Sequence, residues 1–237
     1  VAAEVAYGAS IAGVRSLCAM KHVGVNVAAD PFMSAANTGV NAGLVLLAAD
    51  DPSCYSSQNE QDTRMIARAA HVPVLEPADS GEAKEFVKLG YAISEKYDTP
   101  VILRTTTKLA HSQSAVELCD RVEVADKEYA RNPQKYVMMP AMARPRHVHV
   151  EKRMAELAQW AEGCEINKIE YYSKKRGFIC AGTTYNYARE AFGEDASYLK
   201  LGMVNPLPVN IIKDFASQVD ELYVVEELDS VIEDHCL

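Results

Sequence analysis

Three polar segments of this chain combine residue types that can do chemistry. The first is Glu4, a single carboxylate in the small-residue stretch VAAEVAYGASIAG. A carboxylate so placed is either a solvated residue at a helix start or a buried acid whose proton affinity is raised by desolvation. Gly8, Ala9, Ala12 and Gly13 leave room for another backbone or a flat ligand to come close. The second segment is AMKHVGVN, residues 19–26, where Lys21, His22 and Gly24 follow the apolar run SLCAM. A Lys at a strand end can hold an anion and a His can carry a proton near neutral pH, the alternative being a purely structural His. The third is DDPSCYSSQNEQDTR, residues 50–64, dense in short side chains able to hydrogen-bond a heterocycle. It follows the run GLVLLAA, and the loop beyond the carboxyl end of a parallel strand is where α/β sheets bind ligands. A solvated loop leading into a capped helix is the plainer reading.

These segments need a scaffold, and the hydropathy pattern supplies one. Short apolar runs at 43–49, 100–105, 177–182, 197–203 and 221–227 have the continuous character of strands buried on both faces. Helical patterns lie between them at 60–70, 80–97, 183–192 and 209–219. Strand–helix alternation predicts an α/β fold of two parallel-sheet units. The alternation breaks over residues 120–173, where Pro133, Pro140 and Pro145 precede a helix expected at 148–162. That stretch reads as a connector lying along the surface, which divides the chain into units at 1–119 and 174–237. The turn CAGTTYNYARE offers Gly182, Thr183 and Thr184 as a weak anion cradle at a helix start, a pattern equally common as plain capping.

Composition narrows the function classes. With 24 basic against 33 acidic side chains and a net charge of -9, the chain lacks the clustered cations of a nucleic-acid binder. The acid-only run at 214–237 reads as a solvated surface. Residues 31–49 carry no charge, but Ser34, Asn37, Thr38 and Asn41 interrupt them, so no membrane span is expected. Six cysteines, scattered and without CxxC spacing, read as reduced thiols of a cytoplasmic protein, and no signal peptide opens the sequence. P-loop, dinucleotide-binding and zinc motifs are absent.

The stretches AAEVAYGASIAG, MKHVGVNVAADPFM, GLVLLAADDPSCYSSQNEQDTR, PVLEPADSGEAKEF and PVILRTTTKLAHS occur in one order, followed by YNYAREAF, LKLGMVNPLP and ELYVVEELDSVIED. Together they resemble the thiamine diphosphate-dependent 2-oxoacid:ferredoxin oxidoreductases, nearest the large subunits that act on indolepyruvate. The resemblance covers nearly the whole chain. It implies a pyrimidine-binding domain followed by a domain similar to the transketolase C-terminal domain. It also implies oxidative decarboxylation of an arylpyruvate, with coenzyme A taking the acyl group and electrons passing to iron–sulfur clusters and ferredoxin. By position Glu4 matches the glutamate that hydrogen-bonds the aminopyrimidine ring nitrogen, a role favoured by an apolar pocket. The same carry-over makes His22 a second catalytic candidate and puts Lys21, Gly24, Ser56, Ser57, Gln58, Asn59 and Asp62 beside the cofactor or a subunit contact.

The GDG motif that binds the metal-held diphosphate does not occur here, nor do ferredoxin-type cysteine clusters. The resemblance therefore implies that magnesium and iron–sulfur clusters belong to the complete enzyme and are not liganded by this chain. It implies an excised piece holding half of a cofactor site, inert by itself, with a beta subunit and ferredoxin as partners and a tendency to homo-oligomerise through uncovered apolar surface. Two other readings stay open: a non-catalytic assembly module, favoured by an exposed Glu4, and a component acting on pyruvate or 2-oxoglutarate.

Overall fold

The apolar runs become strands because β-branched and aliphatic side chains at every position suit a strand covered on both faces. A computed structural model describes all 237 residues. Helix α1 (Ala2–Ala12) leads into β1 (Ser16–Lys21), α2 (His22–Val27) and α3 (Ala29–Thr38). Strand β2 (Leu44–Asp50), α4 (Thr63–Ala70), β3 (Val74–Leu75), α5 (Ser80–Tyr97), β4 (Val101–Thr106) and α6 (Thr107–His111) follow. After an irregular stretch come α7 (Pro133–Tyr136) and α8 (Pro140–Ala161). The last part holds β5 (Lys168–Glu170), β6 (Arg176–Ala181), α9 (Thr184–Phe192), β7 (Ser197–Leu201), β8 (Met203–Asn205), α10 (Val209–Ala216), β9 (Glu221–Val225) and α11 (Glu233–Cys236).

Two sheets result, as the alternation predicts. The first has the order β1-β2-β4-β3-β8, with the first four strands parallel and β8 antiparallel at the edge. The second has the order β5-β7-β6-β9, parallel except for β5. No helix is long and apolar enough to cross a membrane, and all six cysteines are free.

The expected single strand at 197–203 divides at Gly202, where the chain leaves one sheet and enters the other. A Cβ at this position would lie 2.5 Å from the Ile166 carbonyl oxygen, so only glycine permits the crossing. Strand β8 thus completes the first sheet from beyond residue 174. One apolar core runs through both units: Ala48, Val72 and Ile102 of the first share it with Ile179, Leu201, Phe215 and Ile232 of the second. A separate cluster of Phe178, Cys180, Ala188, Ala196 and Tyr198 lies wholly within the second unit.

The connector does lie along the surface. The Lys127 amide donates to the Gly13 carbonyl at 2.9 Å, and Asn41 Nδ2 donates to the Glu128 carbonyl at 3.1 Å. Gly13, with φ of 107°, closes α1 where a Cβ would collide with the Lys127 carbonyl oxygen. Helix α8 starts at Pro140, earlier than the expected residue 148. Pro140 falls in its first turn, where a missing N–H costs nothing, and Pro145 stays inside the helix. What offsets Pro145 is tertiary: Arg146 Nη2 meets Asp98 Oδ2 at 2.8 Å and Arg153 is wholly buried.

Replacing Gly202 by Ala therefore strains the passage between the sheets. We expect a loss of about 2 kcal/mol or more in denaturant unfolding, as for overpacking against backbone. An unchanged midpoint would show that the crossing tolerates a side chain.

Candidate functional site

The carboxyl ends of β1, β2 and β4 lie side by side, pairing Lys21 with Ala49 and Asp50 with Thr106 in register. This edge gathers the second and third polar segments. Their hub is Asp51, buried at the end of β2. Its Oδ2 accepts from the Ser57 hydroxyl at 2.7 Å, the Ser56 amide at 2.8 Å and Lys21 Nζ at 3.1 Å. Its Oδ1 accepts from the Thr107 hydroxyl at 2.8 Å. The Ser57 hydrogen bond, with those of Ser56, Thr107 and Lys21, holds the Asp51 carboxyl well below the usual carboxylate range. Lys21 Nζ also donates to the Ser56 carbonyl at 2.8 Å, so it ties the loop down from both sides.

Ser53 and Cys54 follow with φ of 67° and 53°, consecutive non-glycine residues in the left-handed region. Each such residue costs about 1–2 kcal/mol, and the fixed loop maintains them. The Ser53 amide is held by the Glu60 carboxylate. Past them Ser56, Gln58 and Asn59 are exposed and Ser57 is half-buried, all facing the carboxyl edge.

Two expected site residues turn inward. His22 is completely buried, with Nε2 3.0 Å from the Asn59 carbonyl and Nδ1 without a partner. As the first residue of α2, its ring packs under the loop; in this chain it supports Asn59 and does not reach an anion from solvent. Asp62 is buried as the N-cap of α4, accepting from the Arg64 amide at 2.9 Å. Its Oδ2 also receives Arg64 Nη2 at 2.6 Å, so its oxygens serve a cap and an ion pair. Gly24 packs on Met20 within α2, where a Cβ would come within 3.0 Å of the Met20 Cβ.

The ion pair belongs to a network that the polar motifs did not disclose. Arg104, buried in β4, donates from Nε to Asp50 Oδ2 at 2.7 Å and from Nη1 to Glu76 Oε1 at 2.6 Å. Arg64 reaches Glu226 Oε2 at 2.6 Å and the carbonyls of Glu227 and Asp229 at 2.8 Å, bridging to the second sheet. Burial pushes the Glu76 carboxyl up against the opposing pull of Arg104. Glu76 also occupies the space beside Gly182, and the Thr183 hydroxyl donates to Glu227 at 3.3 Å. The turn considered as an anion cradle thus faces carboxylates. One signal of the network stood in the sequence: a lone Arg inside the apolar run PVILRT.

Glu4 lies in the first turn of α1, beside the same sheet. Ala6 and Ser10 are the buried positions of the helix, and helical periodicity turns Glu4 and Val5 outward. The Glu4 side chain is 63% exposed. The apolar pocket expected around it is therefore not supplied by α1. Its neighbours Ala3 and Tyr7 instead line a small apolar cleft with Cys18, Phe32 and Leu46. A Cβ at Gly8 would meet nothing within 4 Å, so the face next to Glu4 is open to a flat ring.

Residues 1–171 match the family described as pyruvate flavodoxin/ferredoxin oxidoreductase, thiamine diphosphate-binding. The chain belongs to this family. Among relatives, the indolepyruvate oxidoreductase subunit IorA of Methanothermobacter marburgensis is 44% identical over 100% of the chain and 39% of its own length. The protein of that name from Pyrococcus horikoshii is 41% identical over 99% of the chain and 38% of its own length. The chain thus spans about two fifths of the relatives it matches. A solved 2-oxoglutarate:ferredoxin oxidoreductase from Magnetococcus marinus, with 2-oxoglutarate, coenzyme A and succinyl-CoA bound, superposes with a TM-score of 0.73. It is 16% identical and covers 98% of this chain and 50% of that one. A split-gene transketolase gives 0.58 at 14% identity, covering 94% and 61%. The α/β fold expected from the family is the observed one.

The family's cofactor can be tested against the residues present. The accessible Glu4 carboxylate and the open face at Gly8 leave room for an aminopyrimidine to approach, while the neighbouring apolar cleft is too small to enclose one. No group of three or more His, Cys, Asp or Glu is placed to hold a metal ion, so the fit extends to the ring and not to a metal-held diphosphate.

Removing the Arg104 charge leaves Asp50 and Glu76 buried without a counter-ion. Arg104→Met is expected to cost about 3–5 kcal/mol in denaturant unfolding. A loss below about 1 kcal/mol would mean that the carboxylates find other partners.

Proposed function

We propose that this chain supplies the pyrimidine side of a thiamine diphosphate site in an oxidoreductase that decarboxylates arylpyruvates, indolepyruvate foremost. The observation that carries this reading is Glu4, matched by position to the family's glutamate and presented on the open face of α1. Thiamine diphosphate, when bound, supplies the electron sink for loss of carbon dioxide from a 2-oxoacid.

The chain's own residues hold the ring and shape its surroundings. Glu4 shares a proton with the ring nitrogen of the aminopyrimidine, and it becomes an effective partner when a second protein surface covers it and excludes water. Ala3 and Tyr7 give the ring an apolar floor. Lys21, Ser56 and Ser57, fixed through Asp51, form the polar border together with Gln58 and Asn59, and His22 holds the loop from beneath. An exposed Glu4 also suits a pure assembly module, but the anchored loop and its left-handed Ser53 and Cys54 are more structure than a solvated surface requires.

The remaining parts of the activity belong to the complete enzyme: a diphosphate-binding domain with magnesium, iron–sulfur clusters, a beta subunit, coenzyme A and ferredoxin. The exposed Val5, Leu17 and Val27 give the covering surface apolar area to bury, and also favour self-association of the chain.

Calorimetric titration of thiamine diphosphate with magnesium tests the reading. Binding to the chain should weaken about tenfold or more in both Glu4→Ala and Glu4→Gln, since each loses a charged hydrogen-bond partner. Equal binding by all three proteins would remove Glu4 from the site. With indolepyruvate, coenzyme A and an electron acceptor added, the chain alone should give no turnover.

A further inference from the structure

Beside the anchored loop lies an open groove of about 400 Å³ lined by Tyr55, Thr107, Lys108, His111 and Ser112. Its two walls differ in chemistry. One is Tyr55, 73% exposed and carried immediately after the left-handed Ser53 and Cys54. An aromatic ring held in solvent by a strained turn is an expensive arrangement for a residue with nothing to touch. The other wall is α6, where Lys108 and His111 stand three residues apart on one helical face.

The wall carries positive charge in an acidic chain, and Lys21, the lysine that ends β1, is paired with Asp51. Lys108 and His111 take part in none of the ion pairs. Thr107 fixes the wall by its bond to Asp51, the residue that also holds Lys21 and Ser57. The groove is thus joined rigidly to the candidate cofactor edge.

We propose that this groove binds the 2-oxoacid substrate, with Lys108 and His111 taking the carboxylate and Tyr55 stacking on the aryl ring. A planar anion with an aromatic tail meets both walls at once, whereas an aliphatic 2-oxoacid leaves Tyr55 unused. The assignment rests on the arylpyruvate reading above and adds the residues that discriminate among substrates. The cationic wall provides affinity common to all 2-oxoacids, and Tyr55 sets the preference for aromatic ones.

The test is titration of phenylpyruvate into the whole chain, followed by NMR chemical-shift changes, with pyruvate, phenylacetone as the uncharged analogue, and pyrophosphate as comparators. Phenylpyruvate should shift residues 55 and 107–112 saturably and bind more tightly than pyruvate. Lys108→Met combined with His111→Gln should weaken both acids about tenfold, and Lys108→Arg should restore much of the loss. Tyr55→Ala should leave pyruvate unchanged and abolish the preference for phenylpyruvate. The residues are exposed, so native circular dichroism is expected of every variant.

Absence of saturable shifts in the groove, equal binding of phenylacetone, or tighter binding of pyrophosphate would each overturn the proposal. Glu4→Ala separates the two readings. Groove binding that persists while thiamine diphosphate binding is absent in all proteins would sink the cofactor assignment alone, and the reverse pattern would sink the groove alone.

Discussion

The arrangement of the carboxyl edge depends on two guanidinium groups buried between the sheets. Arg104 and Arg64 face Asp50, Asp62, Glu76 and Glu226. Charges in a protein interior carry a large desolvation penalty, which is offset only when each finds partners in good geometry. Here the partners come from the ends of β2 and β3 and the cap of α4 in one unit, and from the segment after β9 in the other. The cluster therefore fixes how the two sheets meet, which an apolar contact of similar area would leave free to slide. It also sets the start of α4, because Asp62 is at once a member of the cluster and the cap of that helix.

A third guanidinium performs a related task on the opposite side. Arg153 of α8 donates to the carbonyls of Ala36 at 2.5 Å and Asp98 at 2.7 Å, near the carboxyl ends of α3 and α5. Those helix ends carry partial negative charge and unsatisfied carbonyls, so one cation satisfies both without a carboxylate. Burial still lowers its proton affinity, to a pKa of about 10, which leaves it charged at neutral pH. Asp98 meanwhile accepts from Lys135 and Arg146. The connector is held by polar contacts at defined points, and its few apolar side chains suffice for the rest.

This rigidity explains the contrast within the candidate site. Asp51, Thr107 and Lys21 are locked together, and the loop they hold stores strain at Ser53 and Cys54. Glu4, by contrast, stands on an open helix face with apolar neighbours left uncovered. A carboxylate that must share a proton with a ring nitrogen needs a dry environment, and here that environment has to come from a second surface. The chain presents a preformed border and an unfinished centre, as expected for a site built between protein domains.

The sequence by itself determined the long central strands, because runs such as GLVLLAAD and PVILRT are apolar at nearly every position and suit only a strand covered on both faces. Family motifs in linear order likewise disclosed the family and drew attention to Glu4, Lys21 and the SSQNEQD loop. Only the tertiary structure decided which polar residues face inward. His22 and Asp62 belong to the same motifs as Lys21 and Ser57, yet burial sets them to supporting work, and no spacing rule distinguishes them. The passage of the chain at Gly202 from one sheet to the other was likewise hidden, since SYLKLGMV reads as one strand and the collision with the Ile166 carbonyl exists only after folding. Periodicity is a property of neighbours along the chain; burial, ion pairing and close backbone approach are set by residues far apart in sequence, such as Arg64 and Glu226.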